Sequence, residues 1–201
     1  YQGLFPTDSL LELDLDSRLF SADQLEYYGR VSLLKGGIRF SDRINTVSPT
    51  YCREIQTPEF GMGLDGLLHS RSDQLHGILN GLDGKLWNPQ DDQALPCNYS
   101  ARELAGKATC KQLLQEELGL QPTPQLPVAA MVTRLDPQKG FDLLLDIWDA
   151  FLDRKIQLVI LGSGVPRYER QLMAKADRYP GRVVMLQGFN DALARRIYAG
   201  S

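Results

Sequence analysis

The sequence is sparing with the residues that announce a metal site, a disulfide framework or a membrane anchor. Only three cysteines occur in 201 residues, Cys52, Cys97 and Cys110, and none are paired at C-x-x-C spacing. That pattern favours buried or incidental thiols in a reducing compartment over a disulfide or a metal site. The two histidines, His69 and His76, are seven apart and on one helix would share a face. No acidic or thiol cluster accompanies them, so no metal site is expected. No apolar run approaches the roughly 20 residues that a membrane-spanning helix needs, and no signal-peptide pattern opens the chain. A net charge of −3 gives no reason to expect nucleic acid or an anionic membrane as a partner.

What the chain does have is apolar content, 43%, enough for a substantial core. Its second half alternates clearly. Strand-like runs at 128–132, 156–161 and 182–187 each precede a helical pattern, at 140–152, 167–178 and 191–199. Continuous apolar strands between helices predict a parallel sheet covered on both faces, an α/β fold. The first part is less regular. Residues 1–6 read as a turn-forming opening, and 10–16 fit a strand or a loop with one helical turn equally well. A helix is predicted over 25–40, then a β-branched strand at 44–48 that Pro49 ends, then a helical turn over 50–55. The glycine-rich stretch 57–68 allows either a flexible loop or close backbone packing. A short helix over 67–72 and a strand at 76–79 follow. Asn80-Gly81 signals a turn, 88–94 a loop, and 101–118 a helix closed by Gly119.

The stretch Val132-Thr133-Arg134-Leu135-Asp136-Pro137-Gln138-Lys139-Gly140 joins a buried strand to a helix through a polar loop. Loops at the carboxyl ends of parallel strands line the ligand crevice of open α/β sheets. Arg134 offers a planar fork of donors suited to phosphate oxygens, and Lys139 a compact point charge. Gly140 lets the backbone turn tightly into the helix, whose N-terminus would add N–H groups. The combination predicts a diphosphate clamp; two solvated cations flanking a turn is the plainer alternative.

Several segments, in order, resemble one family. They are Thr46-Val47-Ser48-Pro49-Thr50-Tyr51, then Glu54-Ile55-Gln56-Thr57-Pro58-Glu59-Phe60-Gly61, then Ile78-Leu79-Asn80-Gly81-Leu82-Asp83 with Trp87-Asn88-Pro89. Thr133-Arg134-Leu135 with Gln138-Lys139-Gly140, and Leu161-Gly162-Ser163-Gly164, complete the set. The chain is similar in this to bacterial glycogen synthase and the plant starch synthases, retaining glucosyltransferases of the GT-B fold. The resemblance implies two Rossmann-like domains, both incomplete here. Residues 1–77 would be the rear of the acceptor-side domain, and 78–201 the front of the nucleotide-sugar-side domain. It implies glucose transfer from ADP-glucose to the non-reducing end of an α-1,4-glucan, with no metal or other cofactor.

By the same resemblance Arg134 and Lys139 correspond to the family's diphosphate-binding pair. Gly162 and Gly164 would leave room for the nucleotide, Phe189 would stack on adenine where tyrosine is usual, and Asn80 would offer its amide to substrate. The family's Lys-x-Gly-Gly loop and a sugar-contacting histidine would precede residue 1, and a glutamate-containing donor motif would follow residue 201. The 201 residues are therefore expected to be an internal piece of a longer protein with little activity alone. The location implied is the cytoplasm of a bacterium, or a plastid if the source is a plant. Two rivals stand beside this reading. One is another GT-B glycosyltransferase using a UDP-sugar to make sucrose, trehalose or a cell-surface glycan; the other is a non-catalytic glucan-binding relative.

Overall fold

Glycine, proline and charged residues interrupt the apolar runs of the first part of the chain, and its elements are short. The computed structural model describes residues 3–201, and the chain divides into two compact units, Tyr1–Leu82 and Asp83–Ser201. Residues 1 and 2, the start of the turn expected over 1–6, lie outside the described residues. Within that stretch Leu4–Phe5 form a two-residue strand, β1. Residues 10–16 contain one helical turn, α1 (Ser9–Glu12), which buries Leu10 and leaves Leu11 exposed.

The helix predicted over 25–40 is corrected in its first half. Tyr28 and Gly29 both take positive φ, 48° and 76°, as a two-residue hairpin turn requires. The chain reverses there between β2 (Glu26–Tyr27) and β3 (Arg30–Ser32), and β3 also pairs antiparallel with β1. Only after Ser32, whose hydroxyl accepts the Lys35 N–H at 3.1 Å, does helix α2 (Leu33–Phe40) begin. Leu25 and Val31, which fall within the expected helix, instead bury beside Leu10 in a small separate core.

Strand β4 (Ile44–Thr46) gives way, as Pro49 requires, to α3 (Pro49–Glu54), whose first turn is capped by Ser48. The glycine-rich stretch is close-packed rather than loose: Gly61 lies against the Ile55 carbonyl, and α4 (Asp65–Ser70) starts four residues on. Strand β5 (Leu75–Gly77) pairs in parallel with β4, and Ile55, Leu64, Leu68 and Leu75 bury together beside the pair. The Arg71 guanidinium donates to the carbonyls of Ile38, Arg39 and Ser41, serving groups that the end of α2 leaves open. Residues 78–83 have no regular structure, and the expected turn at Asn80-Gly81 is displaced. Asp83 makes the turn instead, its carboxylate accepting the N–H groups of Lys85 and Leu86 at 2.9 and 3.1 Å. The division between units falls after Leu82, in this irregular segment rather than at the end of β5.

The second unit is more regular because its strands carry continuous apolar runs, Val128–Val132, 158–161 and 183–186. Helix α5 (Ala105–Glu117) ends at Gly119, which supplies the left-handed φ of 67°. Then come β6 (Val128–Val132), α6 (Phe141–Asp146), α7 (Trp148–Leu152), β7 (Gln157–Gly162), α8 (Pro166–Ala176), β8 (Val183–Gln187) and α9 (Asp191–Gly200). The single helix expected over 140–152 is loosened at Ile147, where φ and ψ are −99° and 10°, giving α6 and α7. The three strands are parallel in the order β6-β7-β8.

All six residues of β7 are buried, and its side chains alternate between two cores. Leu158 and Ile160 meet Phe141, Trp148, Tyr168 and Leu172 from α6, α7 and α8. Val159 and Leu161 meet Leu114, Ala194 and Ile197 from α5 and α9. A strand with two apolar faces needs helices on both, which makes this unit three-layered. Each such side chain contributes about 1.5–3 kcal/mol by burial.

The amino end of β7 is held by a polar network. Gln157 is fully buried; its carbonyl accepts the Gln115 side-chain amide at 2.6 Å, and its own amide donates to the Gln121 carbonyl at 2.7 Å. Gln157→Leu would leave these buried partners short of hydrogen bonds, and is expected to lower unfolding free energy by about 1–3 kcal/mol. Urea denaturation measures this, and an unchanged midpoint would mean that the network does not stabilise the unit.

Candidate active site

Strand β6 ends at Val132, but its pairing with the next strand continues. Thr133 N–H donates to the Leu161 carbonyl at 3.1 Å, Leu135 N–H to the Ser163 carbonyl at 3.0 Å, and Val165 N–H to the Leu135 carbonyl at 2.8 Å. The last two form an isolated parallel bridge between Leu135 and Gly164. Leu135 is fully buried in the core shared with Phe141 and Tyr168, so the segment is anchored on one side while Arg134 stands exposed on the other. Asp136 then caps a single 3-10 turn, Pro137–Lys139, its carboxylate accepting Gln138 N–H at 3.0 Å. Gly140, at φ 76° and ψ 23°, turns the chain into α6 with a backbone geometry that favours glycine.

Lys139 closes the 3-10 turn and is exposed. Among the described residues the side chain of neither Arg134 nor Lys139 forms a hydrogen bond or an ion pair. Arg167, Arg196 and Arg195 of this unit are committed, to Asp142 at 2.8 Å, Glu117 at 2.7 Å and Asp92 at 3.1 Å, whereas Arg102, Arg154, Arg170 and Arg178 share with Arg134 the lack of a side-chain partner among the described residues. The loop after β6 thus presents two unneutralised cations held on an anchored backbone.

Gly162 and Gly164 lie in the neighbouring exit, after β7. The structure supplies a steric reason for both from within the chain. A Cβ on Gly162 would come within 1.9 Å of the Thr133 carbonyl oxygen, and one on Gly164 within 2.4 Å of the Leu135 carbonyl oxygen. Each absent side chain is what lets the Arg134 segment lie close against β7. The Gly164 N–H is also engaged, donating to Glu169 Oε1 at 2.9 Å, while Glu169 Oε2 accepts the Gln187 side-chain amide at 2.8 Å. Glu169 was not among the residues picked out by motif. The available signal was an acid in the first turn of the helix after Gly-Ser-Gly, where a carboxylate can reach back to open N–H groups.

The third exit follows β8. Gly188 N–H donates to the Gly162 carbonyl at 3.2 Å, Phe189 stands 78% exposed, and Asn190 caps α9 by accepting Leu193 N–H at 2.9 Å. Arg134, Lys139, Gly162, Gly164 and Phe189 therefore gather at the carboxyl ends of three adjacent parallel strands. Asn80 belongs to the first unit, exposed in the irregular segment after β5. His69 and His76 fall on different elements, α4 and β5, and among the described residues no group of three His, Cys, Asp or Glu is placed to hold a metal. No helix of the described residues is long and apolar enough to cross a membrane.

A family model described as the starch synthase catalytic domain matches residues 1–70. Glycogen synthases of Geotalea uraniireducens and Syntrophotalea carbinolica are 52% and 50% identical to the chain over all 201 residues. The chain belongs to the glycogen and starch synthase family. It spans 42% of the length of these two relatives. A solved family structure, the catalytic domain of starch synthase IV from Arabidopsis thaliana bound to ADP and acarbose, matches the whole chain and 42% of its own length. The TM-score is 0.93 at 36% identity, and the fold is the α/β, GT-B type expected from the motifs.

In this member of the glycogen and starch synthase family the Arg134 loop is seated by backbone contact, so its position is sensitive to what lies beneath it. Gly162→Ala is expected to destabilise the chain by about 1–3 kcal/mol, the usual cost of forcing an extra group into a closed contact. A thermal melt of the variant checks this; wild-type stability would show that the loop can lift off β7 without penalty.

Proposed function

We propose that this chain forms part of a retaining glucosyltransferase that moves glucose from ADP-glucose to the non-reducing end of an α-1,4-glucan, glycogen or starch. The observation that carries the reading is the pair of uncommitted cations, Arg134 and Lys139, at the carboxyl edge of the parallel sheet. Departure of ADP builds negative charge on the β-phosphate while the sugar becomes oxocarbenium-like. Fixed positive charge in a water-poor cleft stabilises that charge without reorganising at the moment of reaction. Arg134 would grip phosphate oxygens with its planar fork, and Lys139 would add a point charge. Helix α6 is only six residues long, so the clamp rests on these two side chains and not on a helix dipole. In this reading they do the work that a divalent ion does elsewhere, and no resident metal is required.

The remaining residues take roles around the same step. Phe189, exposed at the exit of β8, would stack on adenine, since stacking needs only a π-face. Asn80 would offer its amide to substrate from the first unit. The first unit would serve the acceptor glucan, and the second the nucleotide sugar. The reading is supported by the glycogen synthase relatives and by the Arabidopsis starch synthase structure bound to ADP and acarbose. The bacterial glycogen synthase relatives support a bacterial cytoplasmic location, with a plastid as the alternative for a plant source.

The test is incorporation of radiolabelled glucose into glycogen by the full-length protein, from ADP-glucose and from UDP-glucose in parallel. Transfer from ADP-glucose is expected. Arg134→Ala and Lys139→Ala should each lower turnover by about 100-fold or more, the scale of a lost leaving-group stabiliser. Near-normal turnover in both variants would remove the clamp from the mechanism. Preference for UDP-glucose would move the protein to another GT-B activity, and no incorporation from either donor would leave a glucan-binding relative.

A further inference from the structure

Glu169 stands in the first turn of α8, half-buried, and its carboxylate reaches in two directions. One oxygen accepts the Gly164 N–H at 2.9 Å, and the other accepts the Gln187 side-chain amide at 2.8 Å. Gly164 bridges to Leu135, the residue after Arg134; Gln187 ends β8, two residues before Phe189. One carboxylate therefore ties the exit of β7 directly to the exit of β8, and through the Leu135–Gly164 bridge to the exit of β6.

The residue type fits that task. An ionised carboxylate only accepts, and here each oxygen meets a donor. Hydrogen bonds to a charged acceptor are the stronger kind. A negative charge near a diphosphate would by itself weaken binding, so an acid engaged by two donors of the scaffold is explained by geometry rather than by ligand contact. The same bond occupies the Gly164 N–H, which leaves the phosphates to the side chains of Arg134 and Lys139.

We infer that Glu169 is a positioning residue that sets the spacing between the cationic clamp and the Phe189 shelf, and so governs affinity for the nucleoside diphosphate. This rests on the nucleotide reading given under Proposed function. The experiment is calorimetric titration of the full-length protein with ADP, together with kcat and KM for ADP-glucose. Glu169→Ala should weaken ADP binding about tenfold, the factor expected when hydrogen bonds to a charged group are lost. KM should rise in proportion while kcat stays within about twofold, as for a lost binding interaction. Glu169→Gln, whose amide oxygen still accepts from Gly164, should keep ADP affinity within about threefold of wild type. If Glu169→Ala does not fold, Gln187→Ala removes one arm alone and should weaken ADP about threefold.

Unchanged ADP affinity in Glu169→Ala, an equal loss in Glu169→Gln, or a fall in kcat at constant KM would each overturn the assignment. Wild-type protein that binds no ADP would overturn the nucleotide reading and this inference with it. Wild type that binds ADP and loses it in Arg134→Ala, but not in Glu169→Ala, would overturn this inference alone.

Discussion

The parallel pairing that runs past the end of β6 is the constraint on which the candidate site depends. Ordinarily the chain leaves a sheet where the ladder stops, and the loop beyond is free to wander. Here Leu135 is clasped between Ser163 and Val165 and buried in the core below. Arg134 thus stands on a backbone fixed from one side, with its own side chain uncommitted. A cation on a loose loop would have to be ordered by the ligand, at a cost in entropy. A cation on a clasped one has its backbone already in place, and only its side chain remains to be ordered.

The rest of the second unit serves that clasp. Two cores flank β7, the Gln115–Gln157 network closes its amino end, and glycines at 162 and 164 let the neighbouring segment descend onto its carboxyl end. The strand is immobilised at the back and along both faces, and the polarity is concentrated at the front.

How much could be read beforehand follows from how each segment is buried. Strands β6, β7 and β8 were legible to within a residue because they are apolar on both faces, and a continuous run between helical patterns has few other readings. The helix over 25–40 failed because Leu25, Val31 and the residues of α2 share a spacing that a hairpin followed by a short helix also satisfies; Tyr28-Gly29, which decides the matter, is not a strong turn signal. The turn near residue 80 moved because Asp83 can close a turn with its own side chain, a preference that outweighs the Asn-Gly pair. At the site, Arg134 and Lys139 were visible as charge in a loop between strand and helix. Glu169 was not, since an acid in a first helical turn is common, and its two donors come from residues 5 and 18 positions away.

Gly162 and Gly164 carry a wider implication. Their contribution is the absence of atoms, so no chemically similar replacement exists for either: alanine, the smallest alternative, already collides with a main-chain oxygen. An arginine can be exchanged for lysine and keep its charge, but at a position defined by vacancy every replacement adds atoms where a main-chain oxygen already lies. For folding alone, the exposed crest of this loop therefore tolerates a change of side chain that the floor beneath it does not.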